Sequence, residues 1–333
     1  MSLQTGARWA RRTARRGRTS CDGLDLDAYC IGPLVGRGGM GEVYQATHRL
    51  LQRPVAIKVV RPEALIGTED DEILLTLRRF QREARATASL HSPHTVELYD
   101  FGMTVSGALY IVMELLVGMD LEQLVDRFGP VPAERAVHFL QQTLSALGEM
   151  HGLGLVHRDI KPANLHISQS APCPDFLKIT DLGLVKPPRG ATLEHVAMHA
   201  SGRIVGTPAY IAPEVIMGAP GDERTDIYSL GCVAYWLLTG RTVFDAKTAP
   251  LMLHSHVDEA PVPPSQRTET PVPPALERVM LACLEKDPRR RPQSVQELSH
   301  QLELCDLGQP WTPERAMQWW GVHVPARRTA FAV

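Results

Sequence analysis

His157-Arg158-Asp159-Ile160-Lys161-Pro162-Ala163-Asn164 is the stretch on which the reading of this 333-residue chain turns. Six fixed residue types at about one in twenty each give a chance match of about 10⁻⁸ per starting position. Accident is therefore negligible. Pro162 argues against a continuous helix, so the side chains of Asp159, Lys161 and Asn164 converge from a loop. Asp159 can accept a proton from an attacking hydroxyl. Asn164 offers an amide oxygen to a hard cation, and Lys161 can neutralise a transferring anionic group.

Working outward toward the N-terminus, Val55-Ala-Ile-Lys58 is strand-like. A lysine facing inward from a covered strand is costly unless paired. A snorkelling surface lysine is the plain alternative. A ligand phosphate together with a carboxylate would satisfy it better, and Glu83 in Phe80-Gln-Arg-Glu-Ala84 is the candidate carboxylate. Further upstream, Gly36-Arg-Gly38-Gly-Met-Gly41 has the G-x-G-x-x-G spacing. In a dinucleotide site such glycines open a helix and an acid follows about twenty residues on. Here Glu42-Val43-Tyr44 favours a strand, and position 61 is Arg61. A glycine-rich hairpin remains, in which backbone N–H groups can approach phosphate oxygens.

Toward the C-terminus, Asp181-Leu-Gly183 follows the apolar pair Leu177 and Ile179. Beside Asn164, Asp181 becomes the main candidate ligand for Mg²⁺. Gly206-Thr-Pro-Ala-Tyr-Ile-Ala-Pro-Glu214 comes next, then Asp226 on a helix that is apolar nearly all round (225–239), then Arg291. A buried Asp226 needs donors, which the backbone of the 157–159 loop could supply. Glu214 and Arg291 could form a buried ion pair. These three residues read as structural.

Composition bounds the rest. The chain is 44% hydrophobic and 22% charged, which suits one large domain or two lobes with real cores. Its net charge of −2 hides six arginines and no acid within residues 1–20, so the remainder carries −8. A body that acidic is a poor nonspecific nucleic-acid binder. There is no apolar run of 18 residues and hence no expected membrane span, and the basic start lacks the apolar run of a secretory signal. A disordered basic tail accounts for that start better than a transit peptide. The six cysteines form no C-x-x-C pair, which fits a reducing compartment and speaks against zinc or a disulfide framework. Only six of 35 basic residues are lysine: Lys58, Lys161, Lys178, Lys186, Lys247 and Lys286. In a chain that uses arginine by default, a lysine marks a place needing a compact ammonium.

Strand patterns dominate the first third and helical patterns the region after Pro132, which predicts an α+β fold of two lobes. Residues 1–27 read as the tail, 28–114 as a small lobe with an antiparallel sheet and one main helix, and 115–305 as a larger helical lobe, with Gly118 a hinge candidate. Residues 306–333 form an extension whose Trp311, Trp319 and Trp320 predict a short amphipathic helix, docked on its own domain or offered to a partner.

In this order and spacing, these motifs resemble the protein kinase family over about residues 28–305. The forms Gly-Met-Gly, His-Arg-Asp-Ile-Lys-Pro-Ala-Asn and Gly-Thr-Pro-Ala-Tyr are similar to the eukaryotic-like (Hanks-type) serine/threonine kinases of bacteria. Lys161 and Thr207 fit serine/threonine rather than tyrosine kinases. The resemblance implies ATP and Mg²⁺, with Mn²⁺ an alternative, and transfer of the γ-phosphoryl to Ser or Thr hydroxyls of protein substrates. It implies that Val35, Val43, Ala56 and the gatekeeper Met113 surround adenine, that backbone groups of Glu114 and Leu116 bind its edge, and that His166 forms its floor. Gly36, Gly38 and Gly41 would cover the phosphates. Lys58 would hold them and pair with Glu83, Asn164 and Asp181 would hold the metal, and Asp159 would orient the hydroxyl. Two of the six lysines thus fall where phosphate must be gripped, independently of the motif match. Arg158 would meet a phosphorylated activation loop, with Ser201 the main acceptor and Thr192 a weaker one, modified in trans within a transient homodimer.

Two departures stand out. Leu182 replaces the usual phenylalanine, and His166 sits where Leu or Met is normal. The membrane span and external sensor common in bacterial relatives are not seen, which implies a cytoplasmic protein or a fragment. A pseudokinase scaffold is the competing reading, although none of Lys58, Asp159 and Asp181 is lost. A small-molecule phosphotransferase ranks last, because such enzymes generally lack a segment like Gly206–Glu214.

Overall fold

Tyr29–Gly38 (β1) and Gly41–His48 (β2) form an antiparallel hairpin that pairs Gly38 with Gly41 at its tip. The computed structural model describes residues 26–38, 41–60, 81–82, 84–104, 107–169, 173–181 and 208–324. Glu83, Thr192, Ser201 and Thr207 lie outside the described residues. Arg53–Val60 (β3), Leu98–Met103 (β4) and Leu109–Glu114 (β5) complete a five-stranded antiparallel sheet of order β1-β2-β3-β5-β4. Central β3 is rich in β-branched residues and covered on both faces, with Val55, Ala56, Ile57 and Val60 all buried. Leu26 joins Tyr29, Ala46, Val55, Ile57 and Val112 in the core of this lobe, so the ordered packing begins upstream of β1.

The larger lobe is built on Ala133–Gly152 (α2) and Glu223–Thr239 (α4). On α2 the helical stripe Val137, Leu140, Leu144 and Leu147 is buried. On α4 residues 225–235 are buried without a break, as its all-round apolar character predicts. Leu121–Phe128 (α1) precedes α2 and is capped by the Asp120 carboxylate accepting from Gln123 N–H. Pro213–Ile216 (α3), Ala249–Asp258 (α5), Pro274–Cys283 (α6) and Val295–Glu303 (α7) pack around α4 and α2.

One refinement concerns the larger lobe, which is not wholly helical. Gly118–Asp120 (β6), Leu165–Ser168 (β7) and Phe176–Ile179 (β8) form a three-stranded sheet at the junction of the lobes. Strands of three or four residues are too short for alternation to stand out in sequence, although Leu165, Ile167, Leu177 and Ile179 all point into the core. Gly118 is needed here for a close approach, because a Cβ at this position would lie 1.9 Å from the Ile167 carbonyl oxygen. The lobes are tied by backbone bonds from Val96 N–H to Ile179 O (3.0 Å) and from Ile179 N–H to His94 O (2.8 Å).

Pro313–His323 (α8) docks on its own domain rather than standing free, with Ala316 and Trp320 buried. Among the described residues no helix is long and apolar enough to cross a membrane.

Candidate active site

The loop 157–164 is shaped from below. Asp226, fully buried near the start of α4, accepts backbone N–H bonds from His157 (Oδ2, 2.9 Å) and Arg158 (Oδ1, 2.8 Å). His151 Nε2 lies 2.9 Å from the same Oδ2. These bonds hold Arg158 at φ +63°, a conformation that costs a non-glycine residue about 1–3 kcal/mol. The His157 ring continues the chain of contacts. Its Nδ1 accepts from Asp159 N–H at 3.2 Å, which leaves Nε2 to donate to Thr180 O at 3.2 Å.

Above this base the polar side chains converge. Asn164 Nδ2 donates to Asp159 O at 2.8 Å and to Asp159 Oδ2 at 2.9 Å. Both amide hydrogens are thereby used, so Asn164 presents its oxygen to any further partner. Lys161 Nζ lies 3.2 Å from Asp159 Oδ2. Thr180 N–H donates to Asn164 O at 2.9 Å and closes the open end of the β7–β8 hairpin, so Asn164 and Asp181 emerge side by side. Asp181 sits at φ +55° and receives Lys58 Nζ at 2.7 Å from the floor of the upper sheet.

This structure therefore assembles Lys58, Asp159, Lys161, Asn164 and Asp181 at one place. Asn164 and Asp181 offer hard oxygens suited to Mg²⁺. Among the described residues no group of three or more His, Cys, Asp or Glu side chains could hold a metal alone. One carboxylate and one amide oxygen suit an ion that takes its remaining ligands from water and substrate phosphates.

The residues expected around adenine lie on the upper sheet and the strands next to it. Ala56 is buried on β3 and pairs with Met113 of β5, while Val35 on β1 is 60% exposed. Val43 pairs with Lys58 across β2 and β3. Gly36 has open space where a Cβ would be, whereas at Gly41 a Cβ would lie 2.1 Å from Val59 O, so only glycine lets the hairpin tip approach β3. Glu114 N–H is engaged by Glu97 O at 3.0 Å. Leu116 follows in the irregular link between β5 and β6. His166 lies on β7, opposite Asp120 and Lys178, and its burial pushes the imidazole pKa down to about 4. The ring is therefore neutral near pH 7.

Glu214 and Arg291 form a bidentate pair away from the cleft, at 2.9 and 2.7 Å, with Thr225 Oγ1 donating to Glu214 at 2.8 Å. Arg291 also donates to the carbonyls of Glu285, Arg224 and Lys286. Together these bonds anchor the start of α3 to the segment before α7.

Sequence reasoning missed several supports. His151, Thr180 and Asp120 carried no motif signal. Lys178, whose ammonium bonds the Glu114 carboxylate between β8 and the lobe connection, could have been flagged by the scarcity of lysine.

A protein kinase domain model matches residues 29–302. The chain is 38% identical over 279 residues to the serine/threonine-protein kinase Pkn3 of Myxococcus xanthus, covering 84% of this chain and 50% of that protein. It is 37% identical over 287 residues to PknB of Mycobacterium leprae and 38% identical over 286 residues to PknB of Mycolicibacterium smegmatis, in each case covering 85% of this chain and 44% of the relative. The chain thus spans half the length of these relatives or less. A glycine-tipped hairpin, a lysine meeting an acid across the cleft and an acid–amide pair on one loop agree with what the comparisons find: the chain belongs to the protein kinase family and resembles its bacterial serine/threonine members.

Proposed function

We propose that this chain is an active kinase that moves the γ-phosphoryl of ATP to Ser or Thr hydroxyls of proteins. The observation that carries the reading is the convergence of two bonded pairs, Lys58 with Asp181 and Asp159 with Asn164, joined through the bond from Thr180 N–H to Asn164 O. Adenine enters between Val35, Val43 and Ala56, with Met113 behind it, Glu114 and Leu116 at its edge and His166 beneath. Gly36, Gly38 and Gly41 let backbone N–H groups reach the phosphates. Lys58 leaves its ion pair with Asp181 to hold them, supported by Glu83.

Asn164 and Asp181 would hold Mg²⁺, which when bound would supply charge neutralisation for the phosphate oxygens. Asp159 orients the acceptor hydroxyl and takes its proton as the new O–P bond forms and the bond from the γ-phosphorus to ADP breaks. Lys161 offsets charge on the transferring group. Thr207 belongs to the segment that receives the protein substrate. Phosphorylation of Ser201, or less readily Thr192, by a second copy of the chain brings a dianion to Arg158 and raises activity. The protein works in the cytoplasm, either alone or as part of a longer chain.

The test is incorporation of radiolabel from ATP with Mg²⁺ into the protein and into a generic Ser/Thr substrate, comparing wild type with Asp159→Asn. The variant should lose about 10²–10⁴-fold in rate while still binding nucleotide. Equal incorporation removes Asp159 from the chemistry. No incorporation by either protein, with nucleotide bound by both, replaces the enzyme with a nucleotide-binding scaffold.

A further inference from the structure

The extension beyond the family match contributes α8, and Trp311 just before α8 and Trp320 within it meet the catalytic domain at one buried carboxylate. Asp175, at the turn end of the β7–β8 hairpin, is fully buried at φ +61°. Its two oxygens receive four N–H donors. Arg135 gives Nε to Oδ2 at 2.8 Å and Nη2 to Oδ1 at 2.9 Å. Trp311 Nε1 donates to Oδ2 and Trp320 Nε1 to Oδ1, each at 2.8 Å. The Arg135 guanidinium also lies 3.8 Å from the centre of the Trp319 ring and 5.0 Å from that of Trp311. Further along, Gln169 Nε2 reaches Val324 O at 3.1 Å, so the far end of α8 is tied to the residue after β7.

This is a built site, and its chemistry explains its occupant. A buried carboxylate–guanidinium pair is tolerable only when its remaining hydrogen-bonding capacity is filled. The indoles fill it with donors that carry no charge and cover the guanidinium with a ring face. Both indole donors come from beyond residue 302, where the family match ends.

The position of Asp175 gives the contact a consequence. The β7–β8 hairpin has Asp175 at its closed end and, at its open end, Asn164 just before β7 and Asp181 just after β8. Its inward residues Leu165, Ile167, Leu177 and Ile179 are all at 0% exposure, so the two strands move as one packed unit. From Asp175 to Asp181 is about 20 Å along the strand at about 3.4 Å per residue. We propose that α8 clamps this hairpin, and that Trp311 and Trp320 are positioning residues for Asn164 and Asp181. The metal half of the proposal rests on the kinase reading above, whereas the clamp on the hairpin does not.

The variants are Trp311→Phe, Trp320→Phe and the pair together, which keep a ring and remove the donors. Hydrogen exchange of the metal-free protein reads the clamp directly. In the double variant the amides of residues 165–168 and 176–180 should exchange about tenfold faster. Titration of Mg²⁺ against a fluorescent ATP analogue reads the consequence. The Mg²⁺ concentration for half-maximal binding should rise about tenfold, while binding without metal changes less than about twofold. Faster exchange confined to residues 311–324 overturns the clamp. Faster exchange of the hairpin with unchanged Mg²⁺ dependence overturns the positioning role. Should the double variant fail to fold, Trp311→Phe, which keeps three of the four donors, is judged by the same readouts. A wild type that binds no nucleotide sinks the kinase reading, and hydrogen exchange alone then decides the clamp.

Discussion

Lys58 and Asp181, 123 positions apart in the chain, meet as an ion pair with Nζ 2.7 Å from Oδ1. Lys58 rises from the upper sheet and Asp181 from the end of β8 below, so the contact spans the cleft between the lobes. The lysine is 13% and the aspartate 39% exposed at the side chain, which places the pair at the cleft's mouth rather than in a core. A pair this open adds about 0–1 kcal/mol to stability. In the proposed reaction its value is readiness, since each partner satisfies the other until phosphates and metal arrive.

The first prediction concerns that ammonium. Lys58→Arg preserves charge but replaces a compact head with a planar fork. Affinity for ATP with Mg²⁺, read by fluorescence titration, should fall about tenfold and turnover about 10²-fold or more. The melting temperature should stay within a few degrees. Unchanged nucleotide affinity would remove Lys58 from the phosphate site.

Asp226→Asn tests the base of the catalytic loop. The amide replaces one of two acceptor oxygens with a donor that faces a backbone N–H or the His151 ring. Arg158 then loses part of what holds its positive φ, and Asp159 drifts with it. A displacement near 1 Å costs about 10²-fold, so turnover should fall by about that factor while KM for ATP changes less than about twofold. A matched rise in KM alone would point to damage elsewhere.

Arg291→Met leaves Glu214 buried against Thr225 without its cation. Breaking one side of a buried pair costs about 3–5 kcal/mol. For a domain of this size the melting temperature should drop about 10 °C. Replacing both residues, Glu214→Met with Arg291→Met, should recover at least half of that loss. Calorimetry decides, and a single variant within about 1 °C of wild type contradicts the buried pair.

His166 makes stability depend on pH. Burial holds its folded pKa at about 4, against 6.5 for an ordinary histidine. The unfolded chain therefore binds the proton more readily. The resulting stability is fully present above pH 6.5 and is lost as pH falls through the window down to about 4. His166→Leu removes this dependence. At pH 5 it should gain about 2 kcal/mol more, relative to wild type, than it does at pH 8. Equal shifts at both pH values would place the ring in water.

What the sequence alone determined was chemistry that depends on residue type and local order. The 157–164 loop, the glycine hairpin, the Val55–Lys58 strand and the largely apolar α4 are each encoded within a few consecutive residues, because turn chemistry, pleat and helical period are local properties. Lysine scarcity added a second cue: among the described lysines, Lys58, Lys161, Lys178 and Lys286 each meet a carboxylate or a pair of carbonyls, and Lys247 is exposed. Only the tertiary structure decided which distant groups meet. That Lys58 pairs with Asp181, that Asp226 collects the His157 and Arg158 amides, and that Asp175 gathers Arg135 with two indoles from the extension depends on burial. A carboxylate removed from water must find donors wherever the packed chain brings them, and no spacing in the sequence records that distance.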